Sequence, residues 1–466
     1  MSGSGTAGSP ALTIGEALAR LVAFGTTVYL ARTLGPDTYG VVAVAAGVML
    51  YLTQVADSGV ELAGMTEASS GATGATAVAR GALLHRLAIA GALMLVLWPV
   101  GWLVMPQPDG RVLALYTLGL PVAALSVRWV YLGLQRPGSV AVSRILGDVV
   151  TAAATLALVR GAADVYWVPI AATVGLAVAA LWLLAGARRL GVGLRAPGDR
   201  LRVAAMLARG RRLALFLLLG LVLYNIDLLL LRALKGDADS GRYAAAYVLI
   251  SFCANLVIGY TLTVLPALAR EPMPTDATAG IYATGLVTAW MATLPVAVGG
   301  ALVAPAIIQV LFGRAYADGA AALAVLVLSV PISGVREVAV AALLARQREP
   351  ALLRVNALAA AANITLNLAL IPPFGLVGAA WATVATEVVR TWLAMTAARQ
   401  AVPGRLPVNG LARVLAAGLG MGAAVVVSGT SGTLPAIAVG GVAYPVLLGL
   451  FGAVRVGGPQ RFQVST

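Results

Sequence analysis

The chain has 466 residues, of which 60% are hydrophobic and 11% are charged, and its formal net charge is +14. A soluble domain carries roughly 25% charged residues, so this composition excludes a water-soluble fold and predicts an all-α polytopic membrane protein. One cysteine, Cys253, and one histidine, His85, exclude an internal disulfide, a cysteine cluster and a multi-histidine metal site.

The spacing of the apolar segments predicts about fourteen transmembrane helices of about 20 residues each. Residues 1–10 lack a basic n-region, so no cleavable signal peptide is expected. In chain order the spans lie near 12–31, 39–57, 83–105, 112–133, 139–159, 166–186, 212–233, 242–268, 281–308, 320–345, 351–371, 375–398, 410–428 and 434–454. The ninth could be broken at Pro295 or Pro305.

The basic residues predict the orientation and argue against nucleic-acid binding. They are mostly arginines in short links between apolar segments, where they determine topology. With the N-terminus inside, the cytoplasmic links and tail hold 19 basic residues, Arg80 and Arg86 among them, and the opposite links hold 7. The asymmetry predicts that both termini are cytoplasmic.

The most basic link separates two similar sets of six spans. The segment around Gln135 recurs 212 positions later around Gln347, and 30–39 recurs loosely as 230–243. Both halves begin with a span of the same direction, so the repeats are parallel, as in some alternating-access transporters. The predicted domains are an N-terminal lobe (1–190), a basic cytoplasmic linker (191–211), a C-terminal lobe (212–400), and two additional helices with a tail (401–466). The last two spans form either a lipid-facing groove or a packing surface.

Several charges fall inside predicted spans, where each costs at least about 2.5–3.5 kcal/mol. Glu16 and Arg20 are four residues apart, as are Arg144 and Asp148, so each pair shares a helical face. Such residues either fix packing or line a hydrated cavity between the halves. Arginine suits a phosphate, because its planar fork donates two parallel hydrogen bonds. The arginines predicted to bind an anionic head group are Arg20, Arg128, Arg144 and Arg336.

Asp227, in predicted span 7, has no basic residue at helical spacing. Asn363 and Asn367 share one face of span 11, and Thr383 lies in span 12. A carboxylate, two amide oxygens and a hydroxyl are the oxygen-rich shell that a hard cation needs. Interhelical hydrogen bonding is the alternative interpretation.

Two segments carry a resemblance to a known family. LARTLGPDTYG at 30–40 and IPPFGLVGAAWAT at 371–383 resemble polysaccharide-export flippases of the Wzx type, in the multidrug/oligosaccharidyl-lipid/polysaccharide exporter superfamily. The resemblance covers roughly residues 10–400. It implies two six-helix bundles in a V around a central cavity that opens alternately to either side, and a polyprenyl-diphosphate-linked saccharide as substrate.

The resemblance also implies a sodium site. In the related lipid II flippases such a site is built from spans 7, 11 and 12, and the matching positions here are Asp227, Asn363, Asn367, Thr383 and the backbone carbonyl of Ala379. Asn367 departs from the pattern, since the relatives have a carboxylate there. Na⁺ or H⁺ is therefore the expected coupling ion, with no other cofactor or metal and no catalytic residue.

The leading functional hypothesis is a flippase in the bacterial cytoplasmic membrane that translocates a lipid-linked oligosaccharide for surface polysaccharide synthesis. Its expected partners are the lipid-linked saccharide, membrane lipids and polysaccharide assembly enzymes, and no nucleic acid. A multidrug/cation antiporter on the same scaffold is the main alternative. A membrane glycosyltransferase or polymerase is disfavoured by the short outside links, and a non-transporting assembly scaffold is the fourth possibility.

Overall fold

The structure is a computed structural model that describes residues 10–270, 275–402, 404, 406–429, 432–457 and 461–464, without side-chain detail at 10–17, 212–213, 216, 254–263 and beyond 453. It divides into two compact units, Met1–Asn225 and Ile226–Thr466. Helices make up almost all of the described part, which confirms the predicted fold class.

The described part of unit 1 contains eight complete α-helices. They are α1 (Pro10–Asp57), α2 (Val60–Ala68), α3 (Ala72–Pro99), α4 (Asp109–Thr117), α5 (Gly119–Ala124), α6 (Arg128–Gly133), α7 (Pro137–Leu158) and α8 (Trp167–Ala187). The ninth helix, α9 (Arg200–Lys235), begins in unit 1 and ends in unit 2. The predicted linker 191–211 is thus helical from Arg200 onward, and its Met206 is buried in unit 1.

Among its described residues, unit 2 contains seven further α-helices and a β-hairpin. They are α10 (Asp237–Ala269), α11 (Asp276–Phe312), α12 (Gly319–Leu326), α13 (Ser329–Ala345), α14 (Glu349–Ala401), α15 (Val408–Val427), α16 (Thr433–Leu450), and the antiparallel strands β1 (Val454–Gly457) and β2 (Arg461–Val464). The hairpin was not expected from the sequence.

The predicted lobe boundaries at 190, 211 and 400 stay predictions.

Eleven helices in the described part are long and apolar enough to cross a membrane. Two of them, α1 and α14, contain a break in the helical backbone at Gly35 and Gly375. Counting each as two spans and adding the 33-residue α10 gives fourteen segments, in agreement with the approximate number predicted.

Proline has different effects in two of the predicted spans. Span 4 is interrupted after Thr117, because the Pro121 ring is incompatible with the carbonyl four residues earlier. In span 9, by contrast, α11 continues through Pro295 and Pro305. Pro295 frees the carbonyl of Met291, and the Tyr444 hydroxyl donates a hydrogen bond to that carbonyl at 2.8 Å. A neighbouring helix thus satisfies the backbone, so no break is needed.

The two units share backbone features at the positions where the sequence repeats. Gln135 (φ 58°) and Gln347 (φ 51°), 212 residues apart, both adopt the left-handed conformation at the end of a helix. In each case the next N–H donates to the carbonyl five residues earlier, at 2.8 and 2.9 Å. Gly35 and Gly236 are likewise both at positive φ. The repeat inferred from the sequence is therefore visible in the fold.

Each unit has its own apolar core. In unit 1, Trp129, Tyr131 and Met206 pack with small residues of α3 and α8. The Tyr131 hydroxyl is satisfied by donation to the Leu183 carbonyl at 2.7 Å. In unit 2, α11 packs against α15 and α16 through a cluster that includes Leu294 and Met421.

Candidate functional site

A cavity of about 550 Å³ in unit 1 is lined by residues of α6, α7 and α8 and by Ser126. Two of the four predicted head-group arginines, Arg128 and Arg144, line this cavity together with Asp148. Arg128 is the first residue of α6 and Arg144 lies one third of the way along α7. The fold thus brings these two arginines to one cavity.

Both arginines are only loosely paired with carboxylates. Arg128 lies 3.4 Å from Glu61 and its side chain is 51% exposed, and Arg144 lies 3.7 Å from Asp148 and is 64% exposed. Both guanidinium groups therefore keep surface that the protein does not cover, and this surface faces the cavity that they line.

Arg20 lies on α1 and is half-buried. Its predicted partner Glu16 is among the side chains outside the described set, so the predicted pairing between these two residues stays a prediction.

Arg336 occupies a different environment from the cavity arginines. It lies on α13 and contacts Glu337 at 2.6 Å and Glu387 at 2.9 Å. Arg390 contacts Glu387 at 3.4 Å and donates to the Asn356 side chain at 3.0 Å. The cluster holds two guanidinium and two carboxylate groups, so it is formally neutral and its charges are satisfied internally. We therefore leave Arg336 out of the proposed head-group site.

A buried ion pair in unit 1 was missed by the sequence analysis. Arg86, assigned there to a link between spans, lies within α3 and contacts Asp57 at 3.3 Å, with 6% and 9% of the two side chains exposed. Arg86 also donates to the carbonyls of Ser126 (2.6 Å) and Ala123 (3.2 Å). The assignment to a link was wrong: Arg86 already lies inside the predicted span 83–105, and α3 begins at Ala72, so the residue is 14 positions into the helix.

Unit 2 brings together three of the five predicted cation ligands. The Thr383 hydroxyl lies 3.2 Å from the Asp227 carboxylate and 3.1 Å from the Ala379 carbonyl. Asp227 is buried and also accepts the Leu228 N–H at 2.9 Å. Tyr243, which the sequence analysis missed, donates to the same carboxylate and lies 3.1 Å from Thr383. Tyr243 ends the segment that repeats 30–39, and this position was the sequence signal that could have identified it.

The other two predicted ligands form a second polar network on α14. The Asn367 side chain donates to the Asn363 carbonyl (2.9 Å) and the Asn363 side-chain oxygen (3.2 Å), and Asn363 donates to Thr386 at 3.1 Å. The buried side-chain oxygen of Asn367 has no hydrogen-bond partner within the described residues. No hydrogen bond in the described part joins these asparagines to Asp227.

The residues around Asp227 supply oxygen donors of the kind that bind cations. Asp227 is a buried carboxylate without a cationic partner among the described side chains, a hydroxyl and a carbonyl lie next to it, and Asn367 carries an unpartnered acceptor. Oxygen donors of these kinds are what hard cations bind. A bound cation would supply the positive charge that this carboxylate otherwise lacks.

An apolar groove of about 510 Å³ lies between α11, α15 and α16. Glycines on α11 and α16, such as Gly299 and Gly440, leave the space, and Met421 and Tyr444 form its walls. The two C-terminal helices therefore both pack on α11 and form a groove with it.

Comparison with known protein families identifies the family of this chain. The family described as "Polysaccharide biosynthesis protein" matches residues 6–271, which is more than half of the chain. The chain belongs to this family. A comparison with curated proteins found no match.

Solved structures of transporters share the fold. The lipid II flippase MurJ in its inward closed conformation superposes with a TM-score of 0.80 at 12% identity, over 95% of this chain and 99% of MurJ. An inward-facing multidrug resistance MATE transporter of the MOP superfamily gives 0.70 at 14% identity, over 82% and 93%. A MOP superfamily transporter from Pyrococcus furiosus, described as having a binding pocket of reverse polarity, gives 0.60 at 14% identity, over 84% and 92%.

Proposed function

We propose that this chain is a flippase that moves a polyprenyl-diphosphate-linked oligosaccharide across the bacterial cytoplasmic membrane by alternating access, for surface polysaccharide biosynthesis. The observation that carries the proposal is the cavity of unit 1, where Arg128 and Arg144 present loosely paired guanidinium groups. Membership of the polysaccharide biosynthesis family supports a saccharide cargo.

The chemistry required of such a site is binding without covalent change. A diphosphate that leaves the membrane surface loses hydration, and charge-assisted hydrogen bonds from arginine offset that loss. Arg128 and Arg144 bind the head group in this proposal, and Arg20 contributes a third positive charge from α1. Glu61 and Asp148 hold the guanidinium groups in place between transport cycles.

The test is transport by single arginine variants. Arg128→Gln and Arg144→Gln are expected to reduce surface polysaccharide at least tenfold at unchanged abundance, because each removes a charge that contacts the head group. Arg80→Gln, an exposed arginine outside the cavity, is the matched control. If both cavity variants export polysaccharide as the wild type does, the head-group site is refuted.

We also propose that Asp227, Thr383 and the Ala379 carbonyl hold a coupling cation, with Asn367 as a further ligand, and that Na⁺ or H⁺ is the ion. A ligand that binds only the folded state raises thermal stability by mass action. For sodium, NaCl should raise the unfolding midpoint of the purified protein above that in choline chloride at equal ionic strength. Asp227→Asn should remove this difference, whereas Thr365→Val, an exposed residue of α14, should retain it. A midpoint that is equal in the two salts would exclude sodium and leave H⁺.

The buried carboxylate of Asp227 is the one observation that favours the alternative, a multidrug/cation antiporter. Such a protein should extrude fluorescent organic cations from cells. Export of these dyes, together with normal surface polysaccharide after deletion of the gene, would favour the antiporter over the flippase.

A further inference from the structure

Unit 1 contains a second, smaller cavity that adjoins the arginine-lined one. It has a volume of about 220 Å³ and lies between α1, α4, α7 and α8. Asp148, Thr151 and Ala172 line both cavities, so the small cavity begins where the large one ends. Ligand sites for drug-sized molecules are about 300–1,000 Å³. This smaller cavity is therefore suited to one ring of a ligand and not to a whole oligomeric ligand.

Hydroxyl groups line much of this small cavity. Thr26 and Thr27 each donate to the carbonyl four residues earlier, at 2.8 and 3.0 Å, and keep their acceptor lone pairs. Thr151 and Thr155 also line it, and within the described part of the chain neither hydroxyl has a hydrogen-bond partner. Polar groups inside a protein normally find partners, so these hydroxyls are available to a ligand.

The repeat shows how this cavity differs from the cation site. Thr151 and Thr155 lie 212 positions before Asn363 and Asn367, the spacing that relates the two units. Unit 2 has amides at these positions and, among its described side chains, no cation beside Asp227, whereas unit 1 has hydroxyls and an arginine, Arg144, 3.7 Å from Asp148. A cation would gain little from a compensated carboxylate, whereas a neutral, hydroxyl-rich ligand can both donate to Asp148 and accept from the threonines.

We propose that this threonine-lined cavity binds a sugar ring of the lipid-linked saccharide, while the diphosphate of the same molecule lies against Arg128 and Arg144. The inference rests on the proposed function and adds to it the residues that distinguish a sugar-bearing lipid from a bare polyprenyl diphosphate. Sites that hydrogen-bond a substrate hydroxyl discriminate strongly against ligands that lack it, because their polar groups are then left unpaired.

The experiment is a competition measured by native mass spectrometry on the full chain in nanodiscs. The two competitors are undecaprenyl diphosphate and the lipid-linked saccharides extracted from cells that carry the gene. Thr151→Val and Thr155→Val keep the side-chain shape but remove the hydroxyl. Thr365→Val, at an exposed position of α14, is the matched control, and Arg144→Gln reports on the head-group site.

The wild type and Thr365→Val are expected to retain sugar-bearing lipids in preference to undecaprenyl diphosphate. Thr151→Val and Thr155→Val should lower that preference about tenfold, the effect of one hydrogen bond of roughly 1.4 kcal/mol, and should bind undecaprenyl diphosphate as the wild type does. Arg144→Gln should weaken both lipids alike.

Three results would overturn the inference: no preference in the wild type, an unchanged preference in both threonine variants, or an equal loss of both lipids in those variants. The same experiment tests the proposed function separately. If Arg144→Gln binds both lipids as the wild type does, the head-group site is refuted, whatever the threonine variants show. If Arg144→Gln binds both lipids weakly but the threonine variants behave as the wild type, only the sugar-binding cavity is refuted.

Discussion

Arginine side chains in this chain occupy two kinds of environment, and the difference predicts what each substitution does. Arg86 is buried, Arg336 is 11% exposed and both contact carboxylates, whereas Arg128 and Arg144 are half or more exposed at a cavity. Removal of one partner from a buried pair leaves an uncompensated charge, whereas exposed pairs contribute little. Buried arginines should therefore affect stability, and cavity arginines should affect transport.

Arg86→Met should be strongly destabilising, by about 3–5 kcal/mol, because Asp57 is left buried without its partner and the carbonyls of Ser126 and Ala123 lose a donor. The measurement is the thermal unfolding midpoint in detergent, together with abundance in the membrane. The double variant Asp57→Leu/Arg86→Met should recover part of the loss, since it removes both charges. A single variant as stable as the wild type would contradict the assignment of a buried pair.

Arg336→Gln and Arg144→Gln should separate stability from transport. The first breaks a neutral buried cluster and leaves Glu337 and Glu387 short of positive charge, so the unfolding midpoint and the abundance should fall. The second should leave both unchanged and reduce polysaccharide export. The opposite pattern, with a stable but inactive Arg336→Gln, would return Arg336 to the list of head-group ligands.

For single residues, the sequence predicted which side chains take part in polar sites better than it predicted which side chains contact each other. Asp227 and Thr383 were grouped by their oxygen chemistry and by the family resemblance, and the two side chains lie 3.2 Å apart. Tyr243 was not expected, because a tyrosine in an apolar segment is usually a packing residue, and only the fold shows that its hydroxyl points at a carboxylate. The pairing of Arg336 with Glu387 depends on how α13 packs against α14, which sequence spacing cannot give.

Helix ends in the two units repeat a strained backbone conformation. Gln135 and Gln347 are both at positive φ, which costs a side-chain-bearing residue roughly 1–2 kcal/mol. Gln135→Gly and Gln347→Gly should each raise the free energy of unfolding by about 0.5–1 kcal/mol, since glycine adopts this conformation without a Cβ clash.

The check for this pair is the shift in unfolding midpoint, with Gln309→Gly as the matched control. Gln309 lies in the last turn of α11 with a helical backbone, where glycine should destabilise by up to about 1 kcal/mol. The sign of the effect should therefore reverse between a left-handed and a helical backbone conformation. Destabilisation at all three positions would show that the glutamine side chains contribute contacts that outweigh the strain.

The number of membrane-spanning segments was predictable from the sequence. Whether each segment is one continuous helix was only partly predictable. Hydropathy alone gave about fourteen spans, because a 20-residue apolar stretch has few alternatives in a bilayer. Pro121 ends a helix while Pro295 does not, since Tyr444 of another helix satisfies the carbonyl that Pro295 frees. That outcome depends on a residue about 150 positions away in the sequence, so local rules could not decide it.

For the whole molecule, the distribution of basic residues predicts which face is cytoplasmic. Pro197 lies exposed in the basic segment between α8 and α9, and Ala163 lies exposed between α7 and α8. In a Cys253→Ser background, Pro197→Cys should resist a membrane-impermeant maleimide in intact cells, and Ala163→Cys should react. The reverse labelling pattern would place both termini outside and contradict the predicted orientation.

The helix α9 runs without a break from Arg200 to Lys235, and the boundary between the two compact units falls inside it, after Asn225. The chain therefore passes from one unit to the other within a helix. Viable recombinants between related genes should accordingly exchange at 191–199, where the chain is not yet helical. A crossover at the boundary after Asn225 would have to preserve the helical phase of α9. The expected crossover site therefore lies about thirty residues before the boundary between the compact units.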